Sequence, residues 1–193
     1  MRIFAFLAIF LLSTGIARAD RFEFLEEGFE IDGPRGWVVL SIADMRYIHR
    51  DADFGSEEVN RRILSQDPTH MLSIVATRNG VGVVPGLHLY YRSGQLIDTD
   101  AHLNQLLDYL RQNANEFQRL SDPRKTKLGR FDAGVTSYRY TATTGGRKLI
   151  VEEKVWVVPM GRNYLTLSSG TAPEDEIGKR QILEAVRSLR AIN

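Results

Sequence analysis

The segment from Val135 to Leu167 constrains the fold more than any other, because it places apolar side chains at both odd and even positions of strands that pair with one another. Gly145-Gly146 is a two-residue hairpin loop, since the favoured tight turns need positive φ at their centre. Pairing about that loop sets Arg139 opposite Glu152, Tyr140 opposite Val151, Tyr138 opposite Glu153 and Val135 opposite Trp156. A second tight turn at Met160-Gly161 extends the meander, with Trp156 opposite Leu165 and Lys154 opposite Leu167. Successive strand side chains point to opposite faces. One face therefore carries Tyr138, Tyr140, Ala142, Leu149, Val151, Val155 and Val157, and the other Val135, Ile150, Trp156, Leu165 and Leu167 among Arg139, Glu152 and Lys154. A sheet with one core face alternates cleanly with polar residues, so two apolar faces require a layer on each side.

Two amphipathic helices can supply those layers. Leu103, Leu106, Leu107, Leu110, Ala114 and Phe117 recur at the spacing of one helical face and predict a helix over about 100–117. A closing helix is expected from the capping-box pattern Thr171-Ala172-Pro173-Glu174, where Glu174, Asp175 and Glu176 suit the positive end. Ile182, Val186 and Leu189 mark its buried face, with Leu183 and Ile192 beside them. Upstream, Phe29 and Ile31 alternate before the turn Asp32-Gly33-Pro34-Arg35-Gly36, and residues 37–42 return as a second strand. Residues 71–77 and 87–91 read as strands around a glycine-rich loop at 79–86, and residues 56–66 as a short helix capped by Ser56 and stopped before Pro68. The polar, basic stretch 121–130 reads as a connector.

The N-terminus has the parts of an export signal: Arg2, an apolar run over 3–12, the break Ser13-Thr14-Gly15 and the small-x-small triplet Ala17-Arg18-Ala19. A membrane span needs about 20 apolar residues, roughly twice this run. Residues 1–19 are thus expected to be a signal peptide and residues 20–193 a single domain in the periplasm or outside the cell. The chain has 25 Lys and Arg against 24 Asp and Glu, and losing Arg2 and Arg18 leaves 23 against 24. No surplus of cations remains to displace counterions from a nucleic acid or to hold an anionic membrane, so neither is expected as a partner. There is no cysteine, which excludes disulfides, a lipid-anchoring thiol and a thiol nucleophile.

The order of elements resembles a known superfamily. Phe29-Glu30-Ile31 followed by Pro34-Arg35-Gly36-Trp37, a central amphipathic helix, a three-stranded meander and a closing helix with Ile182-Leu183-Glu184-Ala185-Val186-Arg187-Ser188-Leu189 is similar to the PsbP/DcrB-like group, which includes Mog-type proteins. The resemblance covers about residues 28–192. It implies an α+β fold, an αβα sandwich around a central antiparallel sheet, used mostly for binding and not for catalysis. The superfamily has no shared catalytic motif to carry over, and a fold alone does not assign an activity.

The residues themselves supply no catalytic or metal motif and no cofactor. The sequence has no G-x-S-x-G, Walker loop or H-E-x-x-H. His49, His70, His88 and His102 fall in four segments; His70 and His88 approach each other if their strands pair, but no acid accompanies them. Asp51-Ala52-Asp53-Phe54-Gly55 fails as a calcium loop, having Ser56 where glycine is needed and Arg62 where glutamate is needed. It reads as a solvated loop. Glu152 and Glu153 point to opposite faces and cannot act as a dyad, and Glu152 is expected to pair with Arg139. Tyr90 and Tyr91, at a strand end, also point to opposite faces. One surface has the composition of an interface: Trp156 with Ile150 and Leu165, rimmed by Arg139 and Lys154. The competing reading is that a helix of the same domain covers Trp156. The expectation is a non-catalytic binding or accessory protein of the cell envelope acting through contacts with an envelope protein, or alternatively a small-ligand binder with a pocket beside the sheet. Intact mass of protein recovered from the envelope should show Asp20 as the first residue; retention of Met1 would refute the export signal.

Overall fold

The hairpin about Gly145-Gly146 forms the middle of the meander in the computed structural model, which describes residues 20–41, 43–44, 52–57, 69–77 and 82–192. Its strands are Phe131–Thr144 and Arg147–Met160. Tyr138 pairs with Glu153, Arg139 with Glu152 and Val135 with Trp156, as the sequence predicts. The next strand, Asn163–Thr171, is displaced from expectation. Met160 pairs with Asn163, so the second loop is Gly161-Arg162, with Gly161 supplying the positive φ of 70°. Moving a hairpin loop by one residue moves the register by two, so Trp156 faces Leu167, Leu165 faces Val158 and Lys154 faces Ser169. The two-residue shift leaves every side chain on its expected face.

In chain order the described strands are β1 (Arg21–Phe24), β2 (Phe29–Asp32), β3 (Trp37–Val39), β4 (Ala52–Asp53), β5 (His70–Ala76), β6 (Gly86–Ser93), β7 (Gln118–Leu128), β8 (Phe131–Thr144), β9 (Arg147–Met160), β10 (Asn163–Thr171) and β11 (Arg190–Ala191). The large sheet has the order β3-β5-β6-β10-β9-β8-β4, with β7 also paired to β8, and β1, β2 and β11 form a second, small sheet. Two helices lie wholly within the described residues, α1 (Thr99–Asn113) and α2 (Glu176–Arg187). The expected helix over 56–66, His49 and the leader 1–19 fall mostly or wholly outside the described residues.

Several expected elements are corrected. Residues 121–130 are not a connector: most belong to β7, an edge strand in which exposed cations are tolerated and Pro123 sits where the pairing slips between Ser121 and Arg124. Within the expected solvated loop 51–55, of which 52–55 are described, β4 pairs with Thr143 and Thr144 and Phe54 is buried. Helix α1 stops at Asn113 and not at 117. Its end is met by a distant segment, Ser56 N–H donating to the Asn113 carbonyl at 2.7 Å and Asn115 N–H to that of Phe54 at 3.2 Å. Helix α2 begins at Glu176, not Thr171, because Thr171 is still paired with Glu152; Asp175 caps it by accepting from Gly178 N–H at 2.9 Å. The segments flanking the turn at 32–36 do not form a hairpin. β2 pairs with β1 and β11, while β3 pairs with β5. Arg190 fixes this departure, donating to both carboxylate oxygens of Asp32 at 3.0 Å and also to Glu30. Its guanidinium holds the Asp32 carboxyl below the usual carboxylate range.

The two faces of the large sheet bury separate cores. Trp156, Leu165 and Leu167 pack with Phe29 and Ile31 of β2 and with Ile182 and Val186 of α2, so this cover is part helix and part small sheet. Tyr138, Tyr140, Val151, Val155 and Val157 pack with Leu103 and Leu107 of α1. α1 sits so close to β8 that a Cβ at Gly134 would lie 2.7 Å from the Thr99 Cβ. Leu107→Ala should cost about 2–5 kcal/mol in chemical denaturation, combining lost burial with a residual cavity. A loss below about 0.5 kcal/mol, usual for a surface substitution, would place this helix face elsewhere.

Candidate functional site

Among the described residues the cover along the α1 face is incomplete. Leu103 and Leu107 close against the sheet, but beside them Leu106, Tyr109, Leu110 and Ala114 border a cavity of about 660 Å³. Ligand pockets commonly measure about 300–1,000 Å³. The sheet supplies the floor from five strands: Val75 of β5, His88 and Tyr90 of β6, Ser168 of β10, Val151 and Glu153 of β9, and Tyr138 and Tyr140 of β8. Phe54 and Leu149 complete a mostly apolar lining. This is the alternation of the strands at work. The same parity that aims Val151 and Val155 at α1 also aims Glu153 there.

Glu153 is the chemical exception in that lining. Tyr138 Oη donates to its Oε2 and Tyr140 Oη to its Oε1, the second at 2.9 Å. Ser168 provides a further hydrogen bond to the carboxylate. Burial pushes the Glu153 carboxyl above its ordinary value, although the hydroxyl donors pull the other way. Both phenols are pushed well up, first by burial and then by the Glu153 charge, so they remain hydroxyl donors. No lysine or arginine is among the described lining residues. Sequence reasoning placed Glu153 opposite Tyr138 but did not single it out. The available signal was a lone acid between Val151 and Val155 on an otherwise apolar face.

A second polar group reaches the floor through His88. His70 Nε2 and His88 Nδ1 each lie 2.7 Å from Ser73 Oγ, which links them as hydrogen-bond partners. His88 pairs across strands with both Ser73 and Ser168. The two histidines therefore come together through Ser73, whose side chain is completely buried and so presents no accessible nucleophile. Among the described residues no cluster of three or more histidine, aspartate and glutamate side chains could hold a metal ion.

The expected binding surface has a different fate. Trp156 is only 3% exposed and Leu165 is fully buried, both packed in the core that contains Ile182 and Val186 of α2. Lys154 Nζ lies 5.4 Å from the Trp156 ring centre, and partial burial, then Arg124 and Arg187, hold its ammonium below the ordinary value. Ile150 shares the face but is 49% exposed, beyond the packed region. The Glu152 carboxylate pairs with Lys179 at 3.3 Å, and the buried Nε of Arg139 has no hydrogen-bond partner among the described residues. Trp156 thus packs inside the fold and cannot serve as an exposed anchor.

No protein-family model matches the sequence, and no curated protein matches it. Solved structures do share the fold. Cyanobacterial PsbP (CyanoP) from Synechocystis sp. PCC 6803 superposes with a TM-score of 0.59 over 93% of this chain and 95% of that one, at 12% identity. LpqN, involved in cell envelope biogenesis in Mycobacterium tuberculosis, superposes with a TM-score of 0.55 over 91% of this chain and 86% of its own, at 15% identity. The chain therefore has the PsbP-like α+β sandwich fold.

The raised Glu153 carboxyl has a consequence for stability. A group that holds its proton more tightly when folded adds stability below its unfolded pKa of about 4.3, and that contribution is lost as pH rises through the folded value. Glu153→Gln should therefore melt at a higher temperature than the parent at pH 7–8. The difference should shrink to nothing towards pH 4. Equal melting throughout would show that the ionised carboxylate costs the fold nothing.

Proposed function

We propose that this is a non-catalytic, exported envelope protein that carries or senses a small hydrophobic ligand in the cavity between α1 and the sheet. The observation that carries the reading is the 660 Å³ cavity itself, apolar in most of its lining and polar at one place. Natural cores are close-packed, and apolar walls standing apart forgo contacts that a ligand restores. Export rests on the leader over 1–19. The envelope role of LpqN, which has the same fold, accords with it. Among the described residues no helix is long and apolar enough to cross a membrane. The non-catalytic reading is supported by Ser73 being enclosed and by Glu153 being engaged by hydroxyls.

A role in protein contacts is a second reading, and its support has moved from Trp156 to the sheet edge. There β3 exposes Val38 and Val39 and, among the described residues, pairs with β5 alone, an edge to which another strand could add.

Titration with the neutral dye Nile red tests the cavity. Saturable fluorescence enhancement at about one dye per chain is expected, and Ala142→Leu, which adds bulk at a β8 residue that also lines the cavity, should weaken it at least about tenfold while the melting transition remains cooperative. Dye binding that is absent, or indifferent to that substitution, would refute the ligand-binding reading.

A further inference from the structure

The identity of the ligand's polar end can be argued from the charge of the lining. Glu153 presents a carboxylate into the cavity whose partners, Tyr138, Tyr140 and Ser168, are all neutral hydroxyls. Its neighbours in sequence offer no cation either: Glu152 lies on the other face with Lys179, and Lys154 lies over Trp156 there. A carboxylate removed from water without a counter-charge is costly, and breaking or lacking the opposite member of such a pair leaves that cost standing. Aromatic rings surround the same place. Tyr138 and Tyr140 have ring centres 6.4 Å apart, and Phe54 meets Tyr140 at 6.3 Å. Rings of this kind attract a cation through their faces, more strongly when water is excluded.

Building on the ligand-binding reading above, we infer that the cavity takes a hydrophobic organic cation, with its ammonium head against Glu153 and the Tyr138 and Tyr140 rings and its apolar body along α1. A fatty acid or other anion fits the lining badly. Its carboxylate would face Glu153 with no lysine or arginine among the described lining residues to separate them. A neutral alcohol would gain the apolar walls but leave the Glu153 charge uncompensated. His88, whose Nδ1 lies 2.7 Å from Ser73 Oγ, is a further ionisable ring at the floor.

The test is competition against bound Nile red at pH 7.5, using the folded chain and three ligands with the same ten-carbon tail: decyltrimethylammonium, decanol and decanoate. The cation should displace dye at a concentration about tenfold lower than decanol, with decanoate weakest. Glu153→Gln should bring cation and alcohol within about twofold of each other. Equal competition by cation and alcohol in the parent protein, a preference for decanoate, or failure of all three to displace bound dye would overturn the inference and leave the ligand-binding reading standing. Failure of Nile red itself to bind would remove both. The comparison of three heads on the unaltered chain decides the matter even if the variant folds poorly.

Discussion

Strands β8 and β9 send apolar side chains to both sides, and the rest of the chain is arranged around the need to cover such a sheet twice. Exposing either face would leave several large residues in water, at roughly 1.5–3 kcal/mol for each Val or Leu side chain. The two solutions differ in kind. Towards Trp156 the cover is shared between α2 and the small β1-β2-β11 sheet, and Trp156, Leu165 and Val158 are almost or wholly inaccessible. Towards Tyr138 the cover includes helix α1, and among the described residues the lining beside it stands apart.

That difference has a covalent origin in the order of elements. The α2 side is closed by residues from both ends of the described chain, joined where Arg190 binds Asp32 and Glu30 and where Ser188 Oγ accepts from Asp32 N–H at 2.8 Å. The stability from the Arg190–Asp32 pair is complete above the unfolded carboxyl pKa of about 3.9 and is lost as pH falls through the lowered folded value. On the α1 side, by contrast, the helix end at Asn113 is met by Phe54 to Ser56, and a Cβ at Gly55 would come within 2.1 Å of the Asn113 carbonyl oxygen. Such close backbone contact pins one end of the helix over the sheet. The cavity lies alongside this anchored end, bordered by Phe54 and Ala114.

Placing Glu153 in that cavity sets a destabilising group in a mostly apolar lining. A single carboxylate among Val151, Val155 and Val157 weakens an otherwise apolar core, and its three hydroxyl donors soften the cost without cancelling its charge. Local choices that oppose stability are concentrated in proteins where binding or chemistry takes place. His88 of the floor is held by Ser73, which also bonds His70 behind the lining.

Periodicity alone determined that β8 and β9 pair about Gly145-Gly146, which residues share a face, that both faces need covers, and that one helix presents Leu103 and Leu107 and another Ile182 and Val186. These are short-range consequences of two repeats, 2.0 and 3.6 residues, that any chain obeys. What it could not determine was anything requiring two distant segments to meet. The end of α1 at Asn113 depends on Phe54 to Ser56, one partner of β2 is the distant Arg190–Ala191, and the strand character of β7 depends on an open edge of β8. Trp156 has the composition of an interface anchor in the sequence and lies in the core with α2 in the structure. Glu153 was legible as a residue on the α1 face but not as a site, because a cavity is the space left where covering elements fail to meet, and only their three-dimensional packing decides where that is.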